Sequence, residues 1–106
     1  MTTSQTGIRT VIQIADEALS DKVDGSNWGT EGPWTFDDSV FEAAYQVRHS
    51  LSPEEEQLVN DHVGDSGLYY NTLEALRGRP GGRNFVTARL IVAMFWRMET
   101  AGLDED

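Results

Sequence analysis

Seven consecutive apolar residues, Leu90-Ile-Val-Ala-Met-Phe-Trp96, leave no polar side on which a helix or strand could meet water. Such a segment must be covered on every side, because exposing apolar surface costs about 25 cal/mol per Å². In a chain of 106 residues, which holds one modest core, that requirement sets the architecture. The segment sits at the centre and the other elements surround it. Its flanks, Arg89, Arg97 and Glu99, and its extent from about Asn84 to Ala101 before Gly102 read as a helix. The β-branched pair Ile91-Val92 pulls the other way, towards a buried strand. The run is far short of the roughly 18 to 20 residues a bilayer crossing requires.

Four further helices are expected around it. Ile8, Val11, Ile12, Ala15 and Leu19 recur on one helical face over 6–23, and Asp24-Gly25 stops the run. A second helix starts near Thr35 or Asp37 and ends near Ser50, with Val40, Phe41, Ala44 and Val47 inward. Phe36 and Phe41 stand at the positions of a hydrophobic staple about an Asp37 cap. The third start is the clearest local signal. Ser52-Pro53-Glu54-Glu55 supplies a cap, a proline of preset φ and the Glu of a capping box, with Leu58, Val59 and Val63 inward and Gly64 as the stop. Asp65 or Ser66 caps a fourth helix carrying Leu68, Tyr69, Thr72, Leu73 and Leu76, which Gly78-Arg-Pro-Gly-Gly82 breaks. Tyr69 and Tyr70 cannot both face inward on one helix. The expectation is an all-α bundle of four or five helices spanning 1–106; a small α+β fold with a hairpin near 26–36 is the alternative. With no cysteine, neither disulfides nor thiolate chemistry contributes.

Charge is segregated along the chain. Residues 1–76 hold fourteen acids against Arg9, Lys22 and Arg48, while 77–97 hold five arginines and no acid. Glu99, Asp104, Glu105 and Asp106 close the chain, for a net charge of −10. That balance argues against direct binding to nucleic acid or an anionic membrane, where Lys and Arg supply the affinity. It suits a basic protein partner, a merely solubilising surface, or life in high salt. The opening Met-Thr-Thr-Ser-Gln-Thr has no signal-peptide character, so a cytoplasmic protein is expected.

Three strings bear on chemistry. Gly64-Asp65-Ser66-Gly67-Leu68 resembles the nucleophile segments of chymotrypsin-like proteases and of the Gly-Asp-Ser-Leu lipases. Either resemblance would imply a Ser66 nucleophile with His49 or His62 as base, in folds much longer than this one. The simpler reading is a helix cap. Arg77-Gly-Arg79-Pro-Gly-Gly-Arg83 has the glycines and arginines of an anion site but neither a Walker nor a dinucleotide-binding pattern. Trp28 and Trp34 flank a glycine-rich loop and read either as core or as interface anchors.

Carboxylate ridges dominate what remains: Glu17, Asp21 and Asp24 on the first helix, and Glu54, Glu55, Glu56 and Asp61 on the third. No metal or cofactor site and no catalytic residue is expected. The expected function is a small acidic binding or regulatory protein that occludes a nucleic-acid-binding partner with a DNA-mimicking carboxylate surface. Glu17, Asp21, Asp24, Trp28, Glu54, Glu55, Glu56 and Asp61 would make the contact. In size, acidity and lack of cysteine the chain is similar to viral and mobile-element inhibitors of host nucleases, the anti-CRISPR and anti-restriction proteins. The alternatives are an oligomeric structural or adaptor protein, a homodimer among them, and a small hydrolase or anion-binding protein using Ser66 or Arg77, Arg79 and Arg83.

Overall fold

A computed structural model describes residues 8–19, 23, 28, 35–78 and 85–104. It contains helices α1 (Val11–Leu19), α2 (Asp38–His49), α3 (Pro53–Val63), α4 (Gly67–Ala75) and α5 (Phe85–Asp104). Among the described residues there is no strand, only an isolated antiparallel bridge between Trp28 and Phe36. The fold is the expected all-α bundle. Most of the alternative hairpin at 26–36 lies outside the described residues.

The long apolar helix is central. From Val86 to Met94 every residue of α5 except Arg89 is buried, and α5 packs against each of the other four helices. Burial on all sides is what a helix without a polar face requires. Each fully buried Leu, Ile, Val or Met there contributes roughly 1.5–3 kcal/mol relative to exposure.

Local chemistry sets the starts of the helices. The Asp37 side chain accepts the Ser39 N–H at 3.0 Å and opens α2. Phe36, just before that cap, and Phe41 both belong to the core. Ser52 opens α3 with the full capping box: its Oγ accepts the Glu55 N–H at 3.2 Å, and Glu55 Oε1 accepts the Ser52 N–H at 2.9 Å. Ser66 caps α4 by accepting the Tyr69 N–H at 3.2 Å. Between α3 and α4 the chain turns at Gly64, whose φ of +66° is costly for any residue with a Cβ.

Two faces differ from the sequence expectation. On α1 the inward residues are Ile14, Ala15 and Ala18, with Val11 and Leu19 at their edge. Ile8 and Ile12 were expected inward but are exposed, Ile12 by 56%; Ile8 precedes the helix, which begins at Val11 rather than near residue 6. Two overlapping apolar stripes run along this segment. The one that carries alanines lets α1 approach α5 closely, and it is the one buried. On α3 the inward set is Glu55, Val59 and Val63, at a spacing of four. Leu58, also expected inward, is 37% exposed and shares an outer stripe with Glu54, Gln57 and Asp61.

Ile14→Ala is therefore expected to destabilise the fold by about 2–5 kcal/mol, whereas Ile12→Ala changes it by no more than about 0.5 kcal/mol. Urea unfolding of the two variants measures both. Equal losses would mean that the other stripe of α1 faces the core.

Candidate functional site

A polar cluster joins the segment just before α1 to the start of α3. Glu55 is only 2% exposed, and its carboxylate accepts four N–H groups. Oε2 takes the Arg9 backbone N–H at 3.0 Å and Nε–H at 2.9 Å, while Oε1 takes Arg9 Nη2–H at 3.0 Å as well as the Ser52 N–H. This is a two-pronged arginine–carboxylate pair, the geometry in which such pairs are strongest. Arg9 Nη1 reaches on to Glu17. The Arg9 guanidinium holds the Glu55 carboxyl down to about 2; burial opposes this, and the backbone N–H groups of Ser52 and Arg9 assist it. The same bonds to Glu55 raise Arg9.

Glu55 thus lies in the interior and is withdrawn from the outer carboxylate surface on which it was expected. The physical reason is its double use: it closes the capping box and neutralises Arg9. Trp28 is likewise corrected. It is buried, with its ring 5.5 Å from that of Phe95, so it anchors the core and does not project as a contact. Glu17 stays exposed but pairs with Arg9. Glu54 and Asp61 are exposed and Glu56 is half-exposed on α3; Asp61 accepts the Gln57 amide at 2.8 Å. Asp21 and Asp24, expected to extend the Glu17 ridge, lie outside the described residues, as do Arg79, Arg83 and Trp34.

Among the described residues, four of the five arginines bond to the chain's own acids, and Arg48 forms no ion pair. Arg77, in the turn after α4, pairs with Glu74 at 2.6 Å, three residues before it. Arg97 reaches Asp16 on α1 at 2.8 Å. Arg89 lies 4.0 Å above the Tyr69 ring, pairs with Asp65 at 3.1 Å and donates Nη1–H to the Gly64 carbonyl. Burial pushes the Tyr69 phenol up, and Arg89 partly offsets that.

Around this pair the surface opens into a groove between α4 and the start of α5. Asn60, Asp65, Tyr69, Tyr70, Leu73 and Phe85 line it, and it continues past Tyr70, Leu73 and Phe85 to Glu74 and Arg77. Tyr70 is 55% exposed and Phe85 60%. The tyrosine pair divides as the helical period demands, Tyr69 inward and Tyr70 outward. Phe85 had no signal in the sequence, since it stands two residues past the Gly/Arg break.

Ser66 is occupied as a cap and no imidazole bonds to it. His49 Nδ1 is 2.9 Å from the Tyr45 carbonyl oxygen, and the His62 ring stands edge-on to Trp96 at 5.9 Å. Among the described residues no three His, Asp or Glu are grouped to hold a metal ion, and no helix is long and apolar enough to cross a membrane. No protein-family model, curated protein or solved structure matches this chain.

The low carboxyl of Glu55 carries a pH dependence. Its charged form stabilises the fold fully above the unfolded value of 4.5, and the contribution is lost as pH falls through about 2. Native stability is expected to drop on the order of 3 kcal/mol across that window from this group. In Glu55→Gln that component of the acid slope disappears, and the variant is already weaker at neutral pH. Urea midpoints at several pH values measure this; an unchanged slope in the variant would assign the acid sensitivity to other carboxylates.

Proposed function

We propose that the protein acts by binding, through exposed carboxylates of α3 and its surroundings, a basic surface on another protein of the kind that holds nucleic-acid phosphates. One observation carries the reading: among the described residues, four of the five arginines are paired within the chain while several carboxylates are left unpaired at the surface. Arg9, Arg77, Arg89 and Arg97 each bond to one of the chain's own carboxylates. Glu42, Glu54, Glu56 and Asp61 form no ion pair among the described residues and reach the surface of α2 and α3. A row of fixed carboxylates offers a basic groove what a phosphate backbone offers, charge at short intervals. It also speeds encounter over distances of about a Debye length. In this reading the protein is an inhibitor or regulator rather than an enzyme. Its size, acidity and lack of cysteine are those of viral and mobile-element inhibitors of host nucleases.

The test is capture from host lysate with the wild-type chain and with a Glu54→Lys/Glu56→Lys/Asp61→Lys variant whose unfolding curve confirms that it is folded. The expected partner binds nucleic acid, and the wild-type chain displaces that nucleic acid. Charge reversal weakens the complex at least about tenfold, as does raised salt, because three surface pairs contribute about 0.2–1 kcal/mol each and repulsion replaces them. Equal capture of the same partner by the variant removes α3 from the interface.

A further inference from the structure

We propose that the groove between α4 and the start of α5 is the contact face of a symmetric dimer of this chain. The argument begins with exposure. Tyr70 and Phe85 are two of the most exposed large apolar side chains described, and they stand together beside Leu73 in one open groove. Aromatic side chains grouped in this way are the usual anchors of protein contacts.

The occupant follows from charge. Two copies of a chain carrying −10 repel one another wherever carboxylates face outward. The groove is an exception. Its two acids, Asp65 and Glu74, are each matched by an arginine, Arg89 and Arg77. Among the described residues the patch is therefore apolar in the middle and neutral at the rim. A two-fold contact sets a patch against itself, so it requires self-complementarity. This patch has it, because Arg77 of one copy can face Glu74 of the other, and the reverse, without loss of any charge partner. A strongly basic partner would meet Arg77 and Arg89 here, and a strongly acidic one would meet Asp65 and Glu74. A second copy meets both signs in register.

A standard interface buries about 800 Å² per partner, more than these few side chains provide, so the dimer is weak. It does not depend on the function proposed above, and its test requires no other protein. In analytical ultracentrifugation the mass is expected to rise from monomer to dimer over roughly 10 µM to 1 mM. Raising salt from about 50 mM to about 500 mM should favour the dimer, because it screens the repulsion between two −10 chains. Phe85→Ser and Tyr70→Ser, each at an exposed position, should raise the dissociation constant at least about tenfold and leave the melting curve unchanged.

Because the chain has no cysteine, Phe85→Cys introduces a sole thiol. Mild oxidation with glutathione disulfide should link two copies through it. A monomer throughout the concentration range overturns the proposal. So does a dimer that is indifferent to both serine substitutions, or one that salt dissociates. None of these outcomes bears on the α3 carboxylates, whose charge-reversal test is separate.

Discussion

The bundle depends on the burial of α5. A helix apolar on all sides is stable only when every side is covered, and no single short helix covers more than one of them. Four helices of 9 to 12 residues therefore surround it, each too short to be stable alone in water. Each gains its stability from the stripe it lays against α5, and α5 gains cover from all four. The dependence is mutual, which explains why small residues recur at the contacts. Ala15 and Ala18 on α1, Ala43 and Ala44 on α2, and Ala88 and Ala93 on α5 are all buried and allow the backbones to approach.

Electrostatics then follows packing. In the sequence the arginines stand apart from the acids, as if the chain had a basic end. In the fold α5 runs along the other helices, and its arginines meet their carboxylates. Arg97 finds Asp16 across a separation of 81 residues, and Arg89 finds Asp65 across 24. Arg9 meets Glu55 across 46 and ties the start of the chain to the cap of α3. With Arg77–Glu74, these pairs neutralise three of the five arginines of 77–97 and leave unpaired carboxylates on α2 and α3 among the described residues. They also give Glu55 a role opposite to that of its neighbours Glu54 and Glu56. It is held ionised inside the fold, and they remain at or near the surface.

The ends of α2, α3 and α4 were legible because they are decided by neighbours in sequence, whereas α1 begins later than expected, at Val11, and α5 runs on through Gly102 to Asp104. Asp37, Ser52, Gly64 and Ser66 act through bonds spanning a few residues, so their chemistry can be read without knowing the fold. The central helix was legible too, because an uninterrupted apolar run admits only one environment. The inward face of α1 was not. Ile8 and Ile12 fit a helical stripe as well as Ile14 and Ala18 do, and only the shape of the surface of α5 chooses between them. The burial of Glu55 was half legible. Its capping role stood in the sequence, but its arginine lay 46 positions away.

The sequence by itself determined that this chain is a helical bundle around its last helix, with most of the helix starts and stops placed by local hydrogen bonding and backbone preference. Tertiary structure alone decided which stripe of α1 faces the core, that Trp28 anchors inward, which carboxylates are neutralised and which stay free, and that Tyr70 and Phe85 share one groove. The reason is range. Caps and periodicity act over one or two turns, whereas packing and charge pairing join residues whose separation in the sequence carries no signal of their meeting.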